Sequence, residues 1–142
     1  MPDIDDWYEY VDLNHRYAFG LDVERGEGVA DLFTEDGVWD ASDLGYGHLV
    51  GRDALRGYFA GDEGRAEAMA HLFSNQQVVE VAGDTMRARS YVQGVVVRAG
   101  KDVVRHDVVL YDDELVRVAQ EWRFLRRTLR RVLEFRTTRP MR

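Results

Sequence analysis

The chain has no cysteine, which removes disulfides, thiolate metal sites and a cysteine nucleophile, and fits a reducing compartment. Lysine is nearly as scarce. Lys101 is the single example, and it falls in the turn-like stretch 99–102, so Schiff-base chemistry would depend on a loop residue. No apolar run approaches the roughly 20 residues that a membrane helix needs, and residues 1–10 are acidic where a secretory signal would be basic and then apolar. The expected location is the cytoplasm, with no membrane partner. The net charge of −7 would repel a nucleic-acid duplex from most of the surface, so no nucleic-acid partner is expected. The arginines crowd the C-terminal segment from Arg123 to Arg142; one charged strand face followed by a solvated tail accounts for them more simply than an anion-binding patch.

Two further signals are missing. Gly26-Glu27-Gly28 has no strand before it and lacks the rest of a phosphate-binding fingerprint. His15, His48, His71 and His106 have no close ligand spacing apart from His106-Asp107, whose adjacent side chains leave opposite faces of a strand. The expectation is chemistry without a metal or a cofactor.

What is present suits one domain: 142 residues with 45% hydrophobic content can bury one core and not two comfortable ones. We place that domain at 1–136, with 137–142 as a frayed tail. Residues 5–21 carry Trp7, Tyr10, Val11, Tyr17, Ala18 and Leu21 at amphipathic-helix spacing, with Asp5 or Asp6 as the cap. A second helix is expected over 23–33, weakened at its start by Gly26 and Gly28. A turn at 34–37 leads to a short strand at Val38-Trp39-Asp40, which His48-Leu49-Val50 can join as a hairpin. Ala54, Leu55, Tyr58 and Phe59 mark a third helix, ending in the polar stretch 61–67.

After that the chain turns β-rich. The segment from His71 through Val81, then 86–97 and 103–111, read as strands separated by turns at Gly83-Asp84 and 99–102; 112–114 reads as a connection and 115–135 as one long bent strand. Helices first and strands afterwards imply an α+β domain, here three N-terminal helices and a curved antiparallel sheet wrapped around the first of them to leave a cone-shaped pocket.

The order of elements and several phrases, RYAFGLD, DLFTEDGVWD, VGRDALRGYF, AHLFSN and EWRFLRR, resemble SnoaL-like proteins of the nuclear transport factor 2 (NTF2-like) superfamily. The resemblance runs from about Trp7 to Arg131 and implies a cone-shaped α+β barrel that is commonly dimeric, so a homodimer or higher homo-oligomer is expected. The superfamily hosts lyases, isomerases, cyclases, hydrolases and binding modules, so the fold leaves function open.

Motif detail narrows the choice. Tyr17, Asp22 and His71 stand where bile acid 7α-dehydratase has its tyrosine, aspartate and histidine. Scytalone dehydratase is similar at Asp22 and His71. Lindane dehydrochlorinase is similar at the aspartate, the histidine and an arginine after a tryptophan-containing strand, as Arg127 follows Trp122. Asp107 falls near an oxyanion-stabilising aspartic acid of the related ketosteroid isomerase, whose catalytic base would however fall near Ala41, a residue that accepts no proton.

The chemistry implied is proton abstraction by His71, with Asp22 fixing its tautomer and stabilising the imidazolium. Tyr17 would assist a leaving oxygen, while Arg127 and a protonated Asp107 would stabilise developing charge. Arg126 competes with Arg127 for the pocket, because strand alternation sends them to opposite faces and a bulge exchanges them. Trp39, Tyr58, Phe73 and Tyr91 are candidate walls for a flat or polycyclic hydrophobic substrate. The expected function is a cofactor-independent lyase or isomerase of dehydratase type. The alternatives are a polyketide-type cyclase running an aldol reaction on the same dyad, and a non-catalytic small-molecule-binding or dimerisation module.

Overall fold

The computed structural model describes residues 2–61, 66–98, 100 and 103–138. Helix α1 (Ile4–Asp22) forms where its apolar period requires, but its cap is Asp3, whose carboxylate accepts from the Asp5 amide at 3.1 Å. Asp5 and Asp6 instead lie in the first turn, where acids favour the positive end of the helix. The buried face carries Tyr10, Leu13, Asn14, Tyr17 and Ala18.

The expected second helix is not there. Arg25, Gly26 and Gly28 adopt positive φ, and a Cβ on Gly26 would lie 1.8 Å from the Phe59 carbonyl oxygen, so the chain turns sharply here. A short 3-10 turn, Ala30–Leu32, is all that follows. The apolar run then enters strand β1 (Phe33–Ala41), which absorbs the expected turn at Asp36-Gly37 as a register irregularity between Phe33 and Val38. β2 (Gly47–Val50) pairs with β1 as a hairpin, and α2 (Arg52–Phe59) buries Leu55 and Phe59.

The rest is sheet: β3 (Ala68–Ala82), β4 (Thr85–Val97), β5 (Val103–Val118) and β6 (Glu121–Thr138). Six strands run in the order β2-β1-β6-β5-β4-β3, an open curved sheet whose concave face receives α1. The α+β architecture is as expected, with two α-helices among the described residues in place of three and with one parallel pairing there, β1 with β6, in an otherwise antiparallel sheet. Residues 112–114 are no connection but the middle of β5, and the expected long strand 115–135 is divided by a turn at Ala119-Gln120, both at positive φ. Thr137 and Thr138 still belong to β6. The tail 139–142, Lys101 and most of the stretches 61–67 and 99–102 lie outside the described residues.

Two bulges in β6 set the site. Leu115 pairs with Phe124 and Glu114 with Arg126, so the register skips Leu125. Before the skip the buried residues are Trp122 and Phe124; after it they are Arg127 and Leu129. A second skip at Val132 brings Glu134 opposite Asp107.

Candidate active site

Asp22 ends α1 beside the edge strand β3, and its carboxylate makes two contacts with one residue. Oδ1 lies 2.6 Å from His71 Nδ1, and Oδ2 accepts the His71 backbone N–H at 2.7 Å. The imidazole is therefore fixed in position and orientation, with Nε2 left for other partners. The His71 and Asp22 side chains are 14% and 13% exposed, dry enough to strengthen the pair and open enough for a reactant to reach it.

His71 lines a cavity of about 80 Å³, room for several waters at roughly 10–15 Å³ each. Tyr17, Trp39, Tyr58, Phe59 and Tyr111 form much of its aromatic wall, and Asp107 and Arg98 also reach it. The Tyr17 hydroxyl accepts from Trp39 Nε1 at 3.0 Å and lies 3.4 Å from the Tyr111 hydroxyl. With Trp39 occupying an acceptor position, the Tyr17 proton is free for Tyr111 or a ligand. Tyr17 and His71 stand edge to face, ring centroids 6.2 Å apart. Five helical positions separate Tyr17 from Asp22, yet both reach this region because Tyr17 points into the core while Asp22 sits on the last turn.

Other expected site residues lie elsewhere. Arg127 is not among the cavity walls. It is fully buried behind them, donating from Nε and Nη2 to Asp113 at 2.8 and 2.9 Å and from Nη2 to Asn14 Oδ1. Its guanidinium lies against the rings of Phe124, Tyr17 and Tyr111, so its influence on the cavity passes through the two phenols. Arg126 is turned outward, since the skip at Leu125 reverses the alternation, and it pairs with Asp40 at 3.0 Å. Tyr91 alternates with the buried Ser90 and Val92 and points outward. Phe73 packs against Tyr17 and Tyr111 without lining the cavity.

Asp107 does line the cavity, but with Arg105 Nε at 2.9 Å and Arg131 Nε at 3.6 Å. Its surroundings are two guanidinium groups, not the apolar enclosure that a donor role needs.

The polar core under the site has no counterpart among the sequence expectations. Tyr10 donates to Asp113 at 2.6 Å and contacts Ser90 at 2.8 Å, while Asn14 reaches both Gln76 and Ser90. Tyr10 at i, with Asn14 and Tyr17 at i+4 and i+7, was the available signal: a polar residue inside a helix's apolar stripe needs a partner in the core.

Burial raises the pKa of Tyr10, Tyr17 and Tyr111 above the ordinary 10.0; the Asp113 charge adds to the effect at Tyr10, and the neighbouring Tyr17 adds to it at Tyr111. Groups held protonated in the folded state contribute stability that is complete below pH 10.0 and is lost as pH rises through their folded values. In an alkaline titration followed by phenolate absorbance, Tyr10, Tyr17 and Tyr111 should fail to ionise until the chain unfolds. Ionisation of all seven tyrosines while far-UV circular dichroism stays native would contradict this arrangement.

The SnoaL-like domain profile matches residues 2–128. A sequence comparison with curated proteins returns no significant match. Among solved structures, a provisionally named aromatic ring hydroxylase from Novosphingobium aromaticivorans is 29% identical, with 96% of each chain covered and a TM-score of 0.84. A provisionally named scytalone dehydratase from the same organism is 24% identical, covering 97% of this chain and 94% of its own, at TM-score 0.81. A hexachlorocyclohexane dehydrochlorinase from Novosphingobium barchaimii shares the fold at 16% identity and TM-score 0.81, over 94% of this chain and 91% of its own.

Proposed function

The chain belongs to the SnoaL-like domain family, and from that premise we propose that it is a lyase or isomerase of dehydratase type, acting by proton abstraction on a compact, largely apolar substrate. The observation that carries the reading is the two-point grip of Asp22 on His71 at the wall of an aromatic cavity. Asp22 holds a proton on Nδ1, so Nε2 presents its lone pair as the base. Carbanion or enolate character then develops on the substrate, its electron pair forms the C=C bond, and a halide leaves as the anion or a hydroxyl leaves as water with the proton returned from the His71 imidazolium. Tyr17 and Tyr111, whose raised pKa keeps them protonated, donate to the departing or negatively charged atom. Arg127 supports them from behind, and a provisionally named dehydratase and a dehydrochlorinase share the fold.

A cyclase of the polyketide type would use the same dyad on a long folded chain, and a cavity of about 80 Å³ favours the smaller substrate. In a purely binding role the Asp22 carboxylate would serve only to tie the end of α1 to β3, for which its contact with the His71 backbone N–H suffices; the second contact, with the ring, favours catalysis.

The reading is tested in D₂O. The protein is incubated with one-ring β-hydroxy ketones and β-halo ketones, and proton NMR follows α-proton exchange and loss of water or halide. Exchange or elimination above the buffer rate, absent in His71→Ala, is expected. If no member of the set exchanges faster than in buffer, or His71→Ala matches the parent, the proposal fails.

A further inference from the structure

The cavity's floor has a gap in an otherwise filled row. Strand β4 points Met86, Ala88, Ser90 and Val92 into the core, all close to fully buried, and continues inward with Gly94 and Val96. Gly94 pairs directly with His71 on one side and with Asp107 on the other. Residues in register across a sheet face the same way, so His71, Gly94 and Asp107 form one transverse row. Two strand spacings of about 4.8 Å put the outer two roughly 10 Å apart at Cα.

Neither common reason for a strand glycine applies at Gly94. Its φ is not positive, and a Cβ built there meets no atom of the described residues within 4 Å. Glycine in a strand interior costs stability without returning packing. Its one structural effect is empty space, in the middle of the cavity, beside the imidazole. Any larger side chain at this position would project into the space between His71 and Asp107.

We propose that Gly94 determines the size of ligand the site accepts, and that the ligand is a single planar ring bearing an oxygen substituent, seated on the Gly94 backbone between His71 and Asp107. At about 80 Å³ the cavity is smaller than the roughly 150 Å³ that accommodates a benzene ring, so a single ring fills it out through its open mouth and two fused rings exceed it. The ring edge faces His71, and the oxygen meets the Tyr17 and Tyr111 hydroxyls. The proposal deepens the lyase or isomerase reading by naming the flat ring that its substrate carries or that elimination leaves, but its test needs no turnover, so either can fail alone.

The probes are phenol and 2-naphthol, titrated into the isotopically labelled protein and followed by amide NMR shifts. Saturable phenol binding at millimolar concentration or tighter is expected, with 2-naphthol at least tenfold weaker despite its larger apolar surface. Gly94→Ala should weaken phenol severalfold, and Gly94→Val should weaken it by tenfold or more. Both variants should keep or raise the melting temperature, because each adds strand propensity at a position whose Cβ direction is open. Gln93→Val, on the opposite face of the same strand, should bind phenol as the parent does. Phenol affinity in folded Gly94→Ala and Gly94→Val within twofold of the parent overturns the proposal. So does 2-naphthol binding as tightly as phenol, and so does the absence of saturable phenol binding in the parent protein.

Discussion

Arg127→Met is expected to destabilise the folded protein by about 3–5 kcal/mol, the range for removing one partner of a buried ion pair, and to lower the melting temperature by roughly 10 °C or more. Arg127 and Asp113 are both fully buried. Burial by itself works against the guanidinium's charge, but Asp113 more than offsets it and the pKa of Arg127 is raised. Methionine fills much of the volume and keeps the contact with the rings, so the loss comes mainly from the charges left behind. The Asp113 carboxylate would retain only the Tyr10 hydroxyl at 2.6 Å, and the Asn14 side-chain oxygen would lose the donor that now reaches it from Arg127.

Arg127→Lys should fall between the parent and Arg127→Met, since a single ammonium cannot reproduce two parallel bonds to Asp113 together with one to Asn14. Adding Asp113→Leu to Arg127→Met should recover part of the loss, because the stranded carboxylate is then gone. Urea denaturation of these four proteins, with Asp113→Leu alone to close the cycle, measures the coupling. A loss below 1 kcal/mol in Arg127→Met would mean that the pair is not what holds this end of the cone together.

The same pair marks where the sequence can and cannot be read. Helix α1, the β2 hairpin, α2 and the strand at 86–97 follow from period and turn chemistry, because each is a local pattern that burial reinforces. The run Asp112-Asp113-Glu114 looks like a loop, since three consecutive acids have no local reason to sit in a strand. Its middle member is held inside by an arginine on the next strand, opposite it in register, and no local pattern contains that information. The turn at Ala119-Gln120 is hidden for a related reason: neither residue type announces positive φ. A helix over 23–33 is the expectation because Val29, Ala30, Leu32 and Phe33 are apolar in any conformation; the close passage of Gly26 against the Phe59 carbonyl decides against it.

At the site, the proximity of Asp22 and His71 was legible through family resemblance, while the fate of the two arginines was not. A one-residue skip at Leu125 chooses between them, and a skip is a property of two strands together. Tyr111 and Gly94 went unnoticed for opposite reasons: a core tyrosine is unremarkable among strand residues, and a glycine has no side chain to suggest a role.

Asp22→Asn tests the dyad more sharply than removal of either partner. The amide is nearly isosteric with the carboxylate, and its oxygen can still accept the His71 backbone N–H that Oδ2 now accepts. Its NH₂ group then faces Nδ1 and donates to it, which places the imidazole proton on Nε2. The nitrogen presented to the cavity becomes a donor and can no longer take a proton. The fold should persist, with a melting temperature close to the parent's, while turnover in the exchange or elimination assay drops by about 10²–10⁴-fold, the usual span for a lost general base. His71→Ala should lose as much, and the double variant should lose little more than either single one, because the two residues act as one unit. Phenol binding should survive in Asp22→Asn, since the wall of the cavity is unchanged. Full turnover in Asp22→Asn would assign the carboxylate to holding α1 against β3 and leave His71, if active, to find its tautomer without help; full turnover in both single variants would remove proton abstraction from this site altogether.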